Sequence, residues 1–161
     1  RWRRWQALIA SPPGMAKKPR AAPWQMHFFQ RHAKDDSSQS IPAQMFLDAC
    51  PSSVVAKFFA VLRAVVDAPP PAFSGGGKWE AMHDEMSGYY EVRVDGPNRH
   101  HYRLFCLLER DGGAVGLGGP CLILITGKDK PFRTTLSDAD YSHVRALGRE
   151  YLARNPRSTA K

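Results

Sequence analysis

The stretch YYEVRVDGPNRHHYRLFCLLER, residues 89–110, constrains the fold more than any other part of the chain. Apolar side chains recur at every second position on both sides of a Gly-Pro-Asn segment, as expected for two β-strands joined by a turn. The sequence therefore predicts a hairpin with strands 89–95 and 101–110. The apolar positions that share one of its faces are Tyr90, Val92, Val94, Tyr102, Leu104, Cys106 and Leu108.

The opposite face of this hairpin carries charged groups rather than neutral polar ones. Alternation places Arg93 on that face of the first strand and Arg103 on that face of the second, beside the aromatic residues Tyr89 and Phe105. Arg99, His100 and His101 follow at the bend between the strands. The chain thus gathers guanidinium, imidazole and aromatic groups in one short segment.

The rest of the chain supplies the elements of an α+β domain. Helix 51–68 is the clearest, with apolar residues spaced three and four apart until Pro69-Pro70-Pro71 ends it. Ser137 and Asp140 form a capping-box pattern at the start of a final helix. The predicted order is β-α-α-β-β-β-α, from strand 25–32, helices 41–50 and 51–68, the hairpin strands, a strand 121–127 buried on both faces, and helix 138–153.

The net charge of +8 resides largely in the two ends of the chain. Residues 1–24 contribute six basic side chains without an acid, and residues 154–161 contribute three more, which leaves −1 for residues 25–153. We expect residues 1–24 to be a disordered basic extension, or else an arm that contacts nucleic acid. Within the body, residues 93–133 hold seven basic and four acidic side chains, so positive charge collects on the sheet and the segment after it.

Several classes of protein are excluded or disfavoured by pattern. No apolar run approaches the roughly 20 residues of a membrane helix, and Ala7 to Ala10 is shorter than a signal-peptide core. The three cysteines are widely spaced, which is typical of thiols in a reducing cytoplasm. No histidine pair has zinc-ligand spacing, and we expect no metal or other cofactor.

The basic residues 93–133 admit two interpretations. Arginine binds phosphate at two points, aromatic faces stack unpaired bases, and histidine transfers protons, so this set suits RNA binding and metal-free RNA cleavage. In the alternative, Arg93 pairs with Glu91 or Glu109 across strands and the two histidines cap a turn. The residues singled out by the first interpretation are Arg93, Arg99, Arg103, His100, His101, Lys128, Lys130 and Arg133.

The segment MSGYYEVRV (86–94) followed by YRLF (102–105) resembles the RelE/ParE superfamily of bacterial toxins. The similarity is to the HigB-like, phage-related branch, in which GLYELR precedes YR(I/L)(F/L)Y. It spans about residues 26–153, including the apolar strand and the terminal helix that follow. The turn between Arg93 and Arg103, the insertion DGGAVGLGG, and the absence of a tyrosine between Arg133 and Tyr141 depart from the family pattern.

The resemblance implies a largely antiparallel four-stranded sheet with two helices on one face and a C-terminal helix. It also implies a cytoplasmic toxin of a type II toxin–antitoxin system, a metal-independent endoribonuclease that cleaves ribosome-bound mRNA and inhibits translation. Its expected partner is a helix-turn-helix antitoxin from an adjacent gene. Alternatives on the same scaffold are a DNA gyrase poison and an inactive remnant that binds only an antitoxin.

Site roles follow from motif position in the resemblance. Arg103 matches the arginine that contacts phosphate on the central strand, and we expect it to be catalytic with His100 or His101 moving protons. The expected RNA-binding residues are Arg93, Arg99, Lys128, Lys130 and Arg133, with Tyr89 and Phe105 as stacking partners. Residues 25–153 would form this domain and residues 154–161 a basic tail.

Overall fold

The computed structural model describes residues 24–69 and 77–161. The expected disordered extension lies outside these residues, apart from Trp24. The Trp24 backbone N–H donates to the Val66 carbonyl at 3.1 Å, and the Arg110 guanidinium lies 5.6 Å from the centre of its indole ring. The chain is therefore anchored to the body from Trp24 onward.

Three helices and six strands form the described part of the chain. The helices begin and end close to the predicted positions, which confirms the apolar spacing of 51–68 and the capping box. The elements are β1 (Gln25–Phe29), α1 (Pro42–Ala49), α2 (Ser52–Asp67), β2 (Trp79–Ala81), β3 (Tyr89–Gly96), β4 (His100–Glu109), β5 (Cys121–Pro131), α3 (Asp138–Leu152) and β6 (Thr159–Ala160).

The strands form one sheet in the order β2-β3-β4-β5-β1-β6. Only β1 and β5 run parallel, and the other neighbours are antiparallel. The α+β class is confirmed, but the expected count of four strands is wrong for the described residues. The additional strands β2 and β6 are three and two residues long, too short to produce an alternating pattern.

One face of the sheet packs against α1 and α2. The predicted apolar face of the hairpin is confirmed there, since Val92, Val94, Leu104 and Cys106 are buried against the helices. From α2, Val54, Phe58, Leu62 and Val65 complete this core. β5 is buried along residues 121–126, as predicted for a central strand.

The other face of the sheet is partly covered by α3. Ser137 caps this helix: its side-chain oxygen accepts from the Asp140 backbone N–H, and the Asp140 carboxylate accepts from the Ser137 N–H. Val144, Leu147 and Tyr151 pack on the sheet, whereas Leu152 is 51% exposed. Gly148 allows a close approach, because a Cβ there would lie 1.9 Å from the Tyr89 hydroxyl oxygen.

Two segments expected outside the sheet belong to it. The predicted end of the strand at residue 127 is wrong, because β5 continues to Pro131 and pairs Lys128 with Arg103 and Lys130 with His101. The basic segment 154–161 is docked, since Arg157 Nε donates to Glu109 and β6 pairs with β1. Within the described residues, no helix is long and apolar enough to span a membrane.

Candidate functional site

The α3 side of the sheet is apolar at one end and charged at the other. The strand register places Arg93, Arg103 and Lys128 in one row across β3, β4 and β5, and Asp95, His101 and Lys130 in the next. We call these six residues, together with Glu91, the charged half of the face. Three cations directly opposite one another repel, so this row costs stability unless anions compensate it.

Glu91 supplies part of that compensation from beneath the row. Its side chain is only 3% exposed and accepts from Arg93 Nε at 2.7 Å and from Arg103 Nη1 at 3.0 and 2.8 Å. Arg93 also contacts Glu80 at 3.0 Å. The interpretation in which Arg93 pairs with Glu91 is therefore confirmed, whereas Glu109 bonds instead to Tyr151 and Arg157. One buried carboxylate holds both guanidinium groups in place.

Arg103 is more enclosed than its place on a surface strand suggests. Its side chain is 18% exposed, and its two bonds to Glu91 both use Nη1. Its Nε atom is buried and has no hydrogen-bond partner among the described residues. Because guanidinium carries five N–H groups, Arg103 retains donors on Nη2 for an added anion.

Lys130 lies in the same cluster and is 9% exposed. Its ammonium group donates to the Thr134 carbonyl oxygen. Burial lowers the Lys130 pKa, the nearby Arg103 and Arg93 lower it further, and Glu91 raises it by a smaller amount. Positive charge thus outweighs negative charge at this point, which favours binding of an anion.

The two histidines lie on opposite faces of the sheet. His101 is on the Arg103 side, where its Nδ1 lies 2.5 Å from an Asp95 oxygen and its ring stacks on Phe132 at 4.2 Å. His100 is near Tyr102 on the face that packs against α1 and α2, and its Nδ1 lies 3.2 Å from an Asp129 carboxylate oxygen. Of the two expected proton-transfer groups, only His101 joins Arg103. Its contact with Asp95 directs Nε2 away from that carboxylate.

The remaining basic residues lie at the end and edge of this face. Arg99 is exposed in the turn between β3 and β4, and its carbonyl accepts from Phe132 N–H at 2.8 Å. Arg133 is exposed in the turn after β5. Lys128 lies 3.5 Å from Asp140 at the start of α3. In the part of the chain that the structure describes, Arg99, Lys130 and Arg133 form no ion pair.

Tyr89 and Phe105 were expected to be stacking partners for RNA. They do not lie on an exposed surface, so that expectation is wrong. They are 8% and 0% exposed because α3 covers them, and the Phe105 ring meets the Tyr141 ring edge-on with the two ring centres 6.2 Å apart. As placed, neither ring can stack on a base. Phe132, which sequence reasoning passed over, is the half-buried aromatic residue beside His101.

The potential metal ligands and thiols of the described residues are their His, Cys, Asp and Glu side chains. No group of three or more His, Cys, Asp or Glu side chains within residues 24–69 and 77–161 is arranged to hold a metal ion. Burial raises the pKa of Cys50 to about 12 and that of Cys121 to about 11, so neither thiol ionises readily. The chemistry available on this face is that of arginine, lysine, histidine and carboxylate.

Two carboxylates were undervalued by sequence reasoning. Glu91 was considered only as a surface partner of Arg93, and Asp95 was not considered as a partner of His101. The signal for both was their position: each lies two residues from Arg93 on the same strand face.

Comparison of the chain with family models, with curated proteins and with solved structures finds no match.

Proposed function

We propose that this protein is a toxin of a type II toxin–antitoxin system that cleaves mRNA on the ribosome without a metal ion. The observation that carries the proposal is the row of Arg93, Arg103 and Lys128 directly opposite one another on three adjacent strands. Such a row is unfavourable in isolation and favourable against a polyanion. The resemblance of residues 86–105 to the RelE/ParE superfamily selects RNA as that polyanion.

The proposed reaction is attack of a ribose 2′-oxygen on the adjacent phosphorus atom. The 2′-hydroxyl loses its proton to a base, the bond from phosphorus to the 5′-oxygen breaks, and that oxygen takes up a proton. The products are a 2′,3′-cyclic phosphate and a free 5′-hydroxyl. No water, metal ion or redox partner enters the balance.

The geometry supports a role for each group. Arg103 donates from Nη2 to the charge that develops on the phosphorane, and Arg93 and Lys128 hold the flanking backbone. His101 transfers protons, oriented by Asp95 and by the Phe132 ring. Glu91 positions both arginines, and incoming phosphate competes with it for their N–H groups. Arg99, Lys130 and Arg133 add positive charge around this centre.

The proposed partner is an antitoxin encoded beside this gene. Covering the charged half would require acidic or hydrogen-bonding side chains, because burying these cations without compensation is costly. The proposed location of the pair is the cytoplasm, where ribosomes translate. Co-expression of the adjacent reading frame is expected to relieve growth arrest.

The test is primer extension on a defined message in a reconstituted translation reaction. We expect new 5′ ends in the message when ribosomes translate it and none when ribosomes are omitted. A parallel gyrase supercoiling assay distinguishes the alternative poison. Inhibition of supercoiling without message cleavage would replace the endonuclease proposal, and inactivity in both assays would favour a remnant that binds only the antitoxin.

A further inference from the structure

A cavity of about 740 Å³ opens beside the charged half, between α2 and the outer edge of β3. β2 pairs with β3 only along Tyr90–Val92, so the outer edge of β3 beyond Val92 has no neighbouring strand among the described residues, while β4 pairs with its inner edge as far as Gly96. Residues of α2 line one side of the cavity, and Gly77 and Lys78 line another. The volume falls within the roughly 300–1,000 Å³ that is usual for small-molecule sites.

The floor of the cavity is apolar and is lined by small side chains. Ala60 and Ala64 lie one helical turn apart on α2 and present only methyl groups, while Val94 and Tyr102 face them from the sheet. The other side of α2 carries larger residues that fill the core, including Phe58 and Leu62. Small side chains on this side leave room for a flat ligand.

The rim of the cavity is basic. Four cations line it, Lys57, Lys78, Arg93 and Arg103, against the single carboxylate of Asp95. Lys57 is fixed in place, since its ammonium group donates to the Asp95 backbone oxygen at 2.7 Å. Arg93 and Arg103 belong to both the cavity and the charged half, so a ligand could occupy the two together.

We propose that this cavity binds one nucleotide of single-stranded RNA. The base lies on the floor made by Ala60 and Ala64, and the adjoining phosphate meets the rim at Lys57, Lys78 and Arg93. Only an unpaired base can leave its stack and enter such a site, so the cavity selects single-stranded regions of a message. This inference rests on the proposed function and adds to it a binding subsite that the sequence reasoning did not include.

The experiment compares two fluorescent probes by anisotropy: a six-nucleotide single-stranded RNA and an abasic ribose-phosphate oligomer of the same length. For the wild-type protein we expect RNA to bind at least fivefold more tightly than the abasic oligomer, because only the RNA has a base that can bury apolar surface against Ala60 and Ala64. Ala60→Phe should fill the cavity and remove this preference. The affinity for the abasic oligomer should stay unchanged, because the cationic rim is intact.

Ala56→Phe is the matched control, since Ala56 is exposed on the same helix and does not line the cavity. It should bind both probes as the wild type does. Ala64→Phe is a second filling variant, and a melting curve accompanies each protein. Folded filling variants that keep the full preference for RNA would overturn the cavity assignment and leave the proposed function standing. A wild-type protein that binds neither probe, or binds both equally, would also overturn the cavity assignment, whereas message cleavage on the ribosome tests the proposed function separately.

Discussion

Two halves of one sheet face show what decides the role of a strand residue in this protein. In the apolar half, Tyr89, Phe105, Leu107 and Ile123 are buried beneath α3. In the charged half, the same strands carry Arg93, Arg103 and Lys130 beyond the part that α3 covers. The strands, the pleat and the direction of the side chains are shared, so the difference comes from the helix.

The boundary between the halves passes through one pair of residues. Glu91 on β3 lies directly opposite Phe105 on β4, and both are buried, at 2% and 0% exposure. Phe105 is held by apolar packing, whereas Glu91 depends on the two arginines that neutralise it. Burial of Phe105 therefore stabilises the fold, whereas burial of Glu91 holds the side chains of Arg93 and Arg103 in position.

The largest expected effect separates two phenylalanines, one in each half. Phe105→Ala should lower the free energy of unfolding by about 3–5 kcal/mol, because it empties a filled position beneath α3. Phe132→Ala should cost only about 1 kcal/mol, because Phe132 is half-buried and loses mainly its stacking on His101. Urea unfolding measures both. Equal losses would mean that α3 does not distinguish the halves.

The next effect concerns the two glutamates that contact Arg93. Glu91→Ala should cost about 2–3 kcal/mol, because it leaves two partly buried guanidinium groups without their shared carboxylate. Glu80→Ala, the control, should cost less than about 0.5 kcal/mol, because that ion pair is 42% exposed on both sides. If the two variants melt together, Glu91 is not the centre of the charged half.

The helix that divides the face can itself be weakened. Ser137→Ala removes the side-chain oxygen that accepts from the Asp140 N–H and should cost about 1 kcal/mol. Hydrogen exchange should then increase in α3 and in the apolar half, while the turn that contains Arg99 exchanges as before. Faster exchange throughout the molecule in equal measure would contradict this division.

The smallest effect is a pH dependence due to Lys130. Its pKa is lowered in the folded protein from the usual 10.5, so the unfolded chain binds more protons between the lowered value and 10.5. Stability contributed by this group is therefore greatest above 10.5 and is lost as the pH falls through the lowered pKa. Lys130→Met should give a flatter curve of unfolding free energy against pH in this window. An identical slope in both proteins would contradict the burial of Lys130.

The sequence predicted the sheet face beneath α1 and α2 better than the face that α3 partly covers. Alternation along 89–110 and the spacing on α2 report burial directly, and both match the structure. Tyr89 and Phe105 were misplaced because alternation shows which residues share a face and not whether a helix covers it. Glu91 and Asp95 were undervalued for a related reason, since ion pairs depend on strand register. Lys128 and Lys130 were placed after the end of the predicted strand because β5 changes from apolar to charged within a single strand.

The most direct test of the central claim, that the charged half cleaves RNA, is the rate of message cleavage by Arg103→Ala relative to Arg154→Ala. The two arginines match: each pairs with one carboxylate, and each has a buried Nε without a partner in the described residues. Arg154 lies away from the charged half and bonds to Asp35 at 2.7 Å. A melting curve controls for the loss of stability in each variant, about 1–3 kcal/mol.

Primer extension on a translated message gives both rates. We predict that folded Arg103→Ala cleaves about a hundredfold more slowly than the wild type, as expected when a donor to the transition-state charge is removed. Arg103→Lys should recover only part of this rate, because an ammonium group lacks the planar two-point contact. Arg154→Ala should cleave at the wild-type rate. Wild-type cleavage by folded Arg103→Ala would contradict the account.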